Sequence, residues 1–177
     1  REEKEEDKRT AIRSALKTGL LSGLVFMLVQ ITLANWLSQY IFHQTSFLTM
    51  VITIHALSLP MFILIHISAS STQAYKLLKH KIFVCEIQNP LILLLSMVVF
   101  YFSFSAEYSI MLPVVISSVF GLITIGISLR KVTGVSLFTL MAGKFSRNLL
   151  NYSLPIMFMS ILGAVLHWTD VFMLGYF

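Results

Sequence analysis

The stretch that decides the fold is residues 47–71, which read FLTMVITIHALSLPMFILIHISASS and contain no Asp, Glu, Lys or Arg. Its apolar residues are continuous and do not alternate with a period of two. A helix that crosses the hydrocarbon core of a bilayer needs roughly 20 such residues. Because lipid offers no partner to backbone groups and a barrel strand would alternate, this stretch predicts a transmembrane α-helix.

Similar apolar runs lie on both sides of this stretch. In chain order the predicted spans are A (about Thr18 to Phe42), B (Phe47 to Ser71), C (Ile82 to Phe104), D (Ile110 to Leu129) and E (Leu149 to Phe177). The chain is 56% hydrophobic and 12% charged, about half the charged fraction of an ordinary globular domain. The sequence therefore predicts an all-α fold, a polytopic transmembrane helix bundle with about five spans.

The basic residues indicate how this bundle is oriented. All 13 Lys and Arg residues lie before span A, between B and C, or between D and E, whereas the loops at 43–46 and 105–109 contain none. Lys and Arg stay on the cytoplasmic side of short loops. We therefore expect a multi-pass protein of the plasma membrane whose chain start is cytoplasmic and whose chain end is extracytoplasmic. This placement explains the net charge of +5, and no nucleic-acid partner is expected.

Other compositional features exclude several kinds of site. Cys85 is the single cysteine, so an intramolecular disulfide is excluded. No Cys/His group has the spacing of a metal site, and we expect neither a metal nor a cofactor. The chain begins at Arg1 inside a charged run, and span E reaches Phe177 without a stop signal. These two ends predict an internal segment of a longer polypeptide.

A recognisable pattern follows the basic residues before span E. It consists of Ser153-Leu154-Pro155, Gly163-Ala164, Trp168-Thr169-Asp170 and Leu174-Gly175-Tyr176-Phe177. This order resembles the helix that opens the second half of the polysaccharide flippases, which share a superfamily with the multidrug and toxin extrusion antiporters. The charged lead-in followed by KTGLLSGLVFMLV (residues 17–29) resembles the same family's entry into its third helix.

The resemblance implies a fold and a function for the whole chain. Residues 1–17 would be a cytoplasmic charged lead-in, and residues 18–130 would be helices three to six, the end of an N-terminal bundle. Residues 131–148 would be a cytoplasmic linker, and 149–177 the first helix of a C-terminal bundle, in a transporter of twelve to fourteen helices. Such a protein is not an enzyme. It would flip lipid-linked oligosaccharide across the membrane by alternating access, for surface polysaccharide biosynthesis.

Asp170 and His167 are the candidate residues of span E. A carboxylate inside a membrane is costly unless it faces water, a cavity or a partner. Asp170 would line the outer cavity, bind sugar or take part in coupling to an ion; alternatively it caps a neighbouring helix at the interface. His167 lies three residues earlier on the same face. It would form a proton-sensitive pair with Asp170, or be a structural histidine at the membrane edge.

His55 and His66 are the candidates in span B. They are eleven residues apart and share one stripe of a straight helix, although Pro60 between them blurs this relation. The stripe would be a water-accessible face of the helix. Alternatively, the histidines would form hydrogen bonds with the backbone groups that Pro60 leaves unpaired. Pro60 and Pro155 are candidate hinges or static kinks. Gly19 and Gly23 form a G-x-x-x-G pair, which we interpret as internal helix packing.

Several functions remain open on these residues. A multidrug cation antiporter would favour intramembrane carboxylates, and an oligosaccharide flippase would favour aromatic and cationic cavity groups. No predicted span carries a basic residue at membrane depth to bind a lipid pyrophosphate. A membrane-embedded polymerase or glycosyltransferase would need larger outer loops, and an anchor without transport would not need polar residues in spans B and E. The expected partners are membrane lipid, the lipid-linked oligosaccharide and a possible coupling ion.

Overall fold

A computed structural model of the chain describes residues 2–41, 46–104 and 106–136, together with residues 158, 159, 162, 163 and 165. The chain divides into two compact units, Arg1–Lys144 and Phe145–Phe177. The fold presented here is that of the first unit. Most of span E, including Pro155, His167 and Asp170, lies outside the described residues.

The described part of the first unit is almost entirely helical. Its elements are α1 (Glu2–Trp36) and a π-helical turn (Leu37–Ile41), α2 (Ser46–Ala74), α3 (Leu78–Lys81) and a π-helix (Ile82–Gln88), α4 (Asn89–Ser103) and α5 (Ala106–Thr133). Among the described residues, four stretches are long and apolar enough to cross a membrane: Glu6–Tyr40, Phe47–Ala74, Leu78–Ser103 and Glu107–Thr133. The predicted all-α fold with helices that could span a membrane is therefore confirmed, and these four correspond to spans A to D.

The turn between spans C and D is shorter than the sequence predicts. We expected a turn over Ser105 to Ser109, but α5 already begins at Ala106. Glu107 stands in the first turn of this helix, where a carboxylate is stabilised by the positive end of the helix dipole. Polar residues at this point therefore start a helix and do not extend the loop.

The helices pack in the order α1, α2, α5, α4, each against the next. Leu64 of α2 shares an apolar cluster with Leu129 of α5, and Met61 of α2 accepts a hydrogen bond from the Ser118 hydroxyl nearer the start of both helices. The two central helices are therefore parallel. The chain returns through α3 and α4 to make this pairing possible.

α1 approaches α2 closely through its two glycines. A Cβ built on Gly23 would lie 3.0 Å from the Cα of Pro60, and a Cβ on Gly19 would overlap the side chain of Ile67. Small residues allow helix backbones to approach within the membrane, where dispersion contacts replace the hydrophobic effect. The interpretation of the G-x-x-x-G pair as internal packing is confirmed.

The loop end of α2 has a distinct cap. Lys76 takes a left-handed conformation with φ 62°, its N–H donates to the Gln73 carbonyl at 2.8 Å, and the Leu77 N–H donates to the Thr72 carbonyl at 3.3 Å. These two bonds make a Schellman motif, which satisfies carbonyls that the helix end leaves open. The motif turns the chain directly into α3.

The π-helix over Ile82–Gln88 precedes Pro90, which stands at the start of α4. Proline has no N–H to donate to the carbonyl four residues earlier, and its ring crowds that carbonyl. A wider turn relieves this conflict. Span C therefore continues through its proline as one rod of α3, the π-helix and α4.

Candidate functional site

The length of the apolar part of α1 provides a scale for the depth of each side chain along the helix axes. Lys17 and Trp36 bracket the apolar part of α1, and the 19 residue steps from one to the other rise about 29 Å at 1.5 Å per residue, close to the thickness of the hydrocarbon core. We take Lys17 as the boundary on the side where α1 begins. Since α2 runs antiparallel with Pro60 beside Gly23, Pro60 lies about 9 Å inside that boundary.

On this scale, His55 would lie near the middle of a membrane crossed by α2. It lies five residues from Pro60, toward the start of α2, and hence about 16 Å from the Lys17 boundary. Its side chain is half-buried, and its Nε2 is buried with no hydrogen-bond partner. This nitrogen therefore does not bond the backbone that Pro60 frees. A buried polar atom without a partner normally implies water or a ligand.

His66 lies at the Lys17 boundary and is exposed. Eleven residues of α-helix turn through about three full turns plus 20°, so His55 and His66 share one stripe of α2 as the sequence predicts. The stripe differs from the face of Pro60 and Ile63, which meets α1, and from the face of Ile65 and Ala69, which meets the π-helix and α5. The two imidazoles are about 16 Å apart along the axis, too far for direct contact.

Pro60 is buried where α1 and α2 approach each other. α2 continues without interruption on both sides of it, from Ser46 to Ala74. The carbonyl of His55 accepts a hydrogen bond from the Ser58 hydroxyl at 2.7 Å. Such a bond to the preceding turn bends a helix slightly, so Ser58 and Pro60 act on the same segment of α2.

A second polar contact, which the sequence analysis missed, joins the π-helix before α4 to α5. Gln88 Nε2 donates to Thr124 Oγ1 at 2.8 Å. The neighbouring Asn89 lies against Gly121, and its Oδ1 is buried without a partner. The sequence does contain a signal for this contact, namely two consecutive amide residues inside an apolar span. An amide in lipid needs a hydrogen-bond partner on another helix.

Asp170, His167 and the hinge candidate Pro155 lie outside the described residues. Within residues 2–41, 46–104 and 106–136, no three of His, Cys, Asp and Glu are grouped so that they could hold a metal ion. Among the described residues, the site offers two separate imidazoles, each with two ring nitrogens that can form hydrogen bonds.

Comparisons with protein-family models, with curated proteins and with solved structures found no match to this chain.

Proposed function

We propose that this chain is part of a membrane transporter that flips lipid-linked oligosaccharide by alternating access, with the stripe of His55 and His66 lining one side of the path. The observation that carries the proposal is the unpartnered Nε2 of His55 in the middle of an apolar span. A polar atom at that depth needs water or a polar ligand. An exposed His66 on the same stripe extends this polar character to the membrane boundary.

The chemistry of the two histidine side chains suits a sugar better than an organic cation. Neutral imidazoles donate and accept hydrogen bonds, as sugar hydroxyls do. Residues 47–71, which carry both histidines, contain no carboxylate that could compensate an organic cation. The sequence pattern around Trp168 and Asp170 resembles polysaccharide flippases and supports the same function independently.

Replacement of the histidines tests the proposal in cells whose surface polysaccharide depends on the intact protein. We expect His55→Leu to lower export of polysaccharide about tenfold, because one hydrogen bond to the substrate in a dry site is lost. His55→Gln retains a donor and an acceptor and should keep more activity. The matched control is His80→Gln, because His80 lies in the short helix α3 outside the apolar part of the spans.

Two readouts separate the competing functions. Protein amounts in the membrane are measured by immunoblot, so that loss of export is not confused with loss of insertion. Efflux of a cationic dye is measured in the same variants. If His55→Leu abolished dye efflux and left polysaccharide unchanged, the antiporter would replace the flippase. If neither readout changed, the histidine face would have no part in transport.

A further inference from the structure

Residues 8–17 of α1, which follow an acidic stretch, are strongly basic. Residues 2–7 contain five acids, whereas residues 8–17 contain four bases and no acid. Within one continuous helix, this order separates the two signs along the axis. The acidic part therefore lies farther from the bilayer than the basic part.

The basic part of α1 is held against the ends of α2 and α5. Ile12 and Leu16 are buried in a cluster with Leu64, Leu129 and Val135. Lys8 Nζ lies 5.4 Å from the centre of the Tyr75 ring, and a Cβ on Gly134 would be 3.7 Å from the Arg9 guanidinium carbon. The bases of all three helix ends thereby collect at one end of the unit, the basic end: Lys8, Arg9, Arg13, Lys17, Lys76, Lys79, Lys81, Arg130 and Lys131.

Arg13 lies at the depth of lipid phosphates. It precedes Lys17 by four residues, about 6 Å along the axis, and the headgroup layer extends about 5–7 Å beyond the hydrocarbon core on each side. Arg9 lies about 6 Å farther out, so its backbone is about 5 Å beyond that layer. Arg13 is therefore at the outer edge of the headgroup layer, and Arg9 lies one turn farther toward solution on the same helix face.

A cavity of about 300 Å³ opens at this position, lined by Glu6, Asp7, Arg9, Thr10 and Arg13. Its polar lining includes a guanidinium whose Nε is buried and has no hydrogen-bond partner. Guanidinium groups bind phosphate oxygens with two parallel hydrogen bonds. Glu6 and Asp7 lie on the side away from the membrane and repel an anion that approaches from solution.

We infer that Arg9, Thr10 and Arg13 form a binding site for the headgroup of an anionic phospholipid. The donors and the depth fit a phosphodiester that arrives from the bilayer, and the two carboxylates disfavour free phosphate. Basic groups beside membrane helices bind anionic headgroups, and here Arg9 and Arg13 supply them beside the two carboxylates. The inference does not depend on what the protein transports.

The test measures thermal unfolding of the intact protein in neutral detergent micelles with added short-chain lipid. We expect dioctanoyl phosphatidylglycerol to raise the unfolding midpoint, because a ligand that binds the folded state stabilises it. Dioctanoyl phosphatidylcholine and inorganic phosphate should not raise it. Equal shifts with all three, or none with phosphatidylglycerol, would overturn the site.

Four variants separate a built site from general charge attraction. Arg13→Gln should raise the half-saturating concentration of phosphatidylglycerol about fivefold, and Arg13→Lys should recover only part of the loss. Lys79→Gln, which removes one exposed charge from α3, is the matched control and should change little. Glu6→Gln should tighten binding even if Arg13→Gln does not fold. Equal weakening by Arg13→Gln and Lys79→Gln, or weaker binding in Glu6→Gln, would contradict the inference.

Discussion

Gln88 Nε2 lies 2.8 Å from Thr124 Oγ1, and this hydrogen bond joins the π-helix before α4 to α5. The Thr124 hydroxyl in turn donates to the Phe120 carbonyl of its own helix at 3.0 Å. Thr124 therefore accepts from one helix and donates within the other. The pair is a polar contact between two helices whose other contacts are mostly apolar.

Loss of this contact should destabilise the bundle. We expect Gln88→Leu and Thr124→Val each to lower the free energy of unfolding by about 0.6 to 1.7 kcal/mol, the range measured for hydrogen bonds between membrane helices. Unfolding in mixed micelles measures the change, and the double variant should cost less than the sum of the two. Thr32→Val is the control, since Thr32 bonds only its own helix in the described structure. Strict additivity of the two variants would show that the residues do not interact.

A methyl group at Gly23 should separate α1 from α2. Its nearest contact would be the Cα of Pro60 at 3.0 Å, and a backbone atom cannot rotate away. We expect Gly23→Ala to cost about 1–3 kcal/mol, as overpacked cores do. Gly19→Ala should cost less, because the end of the Ile67 side chain can move.

Gly163→Ala is the matched control for both glycine variants. A Cβ at Gly163 would meet no atom of the described residues within 4 Å, so thermal stability in detergent should not fall. If Gly23→Ala were as stable as Gly163→Ala, close packing of α1 on Pro60 would be wrong.

The cap of α2 can be improved. Lys76 holds φ 62°, which costs a residue with a Cβ roughly 1–2 kcal/mol, whereas glycine adopts this conformation freely. We expect Lys76→Gly to raise the free energy of unfolding by up to about 1 kcal/mol. Lys79→Gly serves as the control, because it removes the same side chain within the helix α3 and should destabilise slightly. A loss of stability in Lys76→Gly would contradict the Schellman motif.

Asp170 remains the residue of span E whose replacement is most informative. We expect Asp170→Ala and Asp170→Asn to impair export of surface polysaccharide while the protein still inserts, because both remove the intramembrane charge. Quantitative analysis of polysaccharide and of membrane-inserted protein checks this. Normal export in both variants would remove Asp170 from the mechanism.

The sequence predicts the number and approximate position of the described spans, although not their exact ends, because lipid requires long apolar helices. The absence of charge from residues 47–71 and the basic residues of the loops were sufficient for spans A to D. The packing of Gly19 and Gly23 could also be predicted, because only small residues allow such an approach. The two histidines were predictable as a stripe from their spacing.

The sequence does not predict which face of each span meets protein. Phe102 of α4 is 81% exposed whereas Ile125 of α5 is fully buried, although both belong to apolar runs. Lipid is as apolar as a protein core, so burial leaves no hydrophobic periodicity to detect. The pairing of Gln88 with Thr124 and the unpartnered Nε2 of His55 depend on those faces and required the structure.

The parallel pairing of α2 with α5 also orders events during synthesis. Met61 and Ser118 are 57 residues apart, and ribosomes add roughly 5–20 residues per second, so α2 waits about 3 to 11 seconds for its partner. Throughout that interval the faces of Ile65 and Ala69 that will meet α5 are solvated by lipid or held by the insertion machinery. A slowed ribosome would prolong the lifetime of this half-assembled hairpin and with it the opportunity for quality-control proteases to remove the chain.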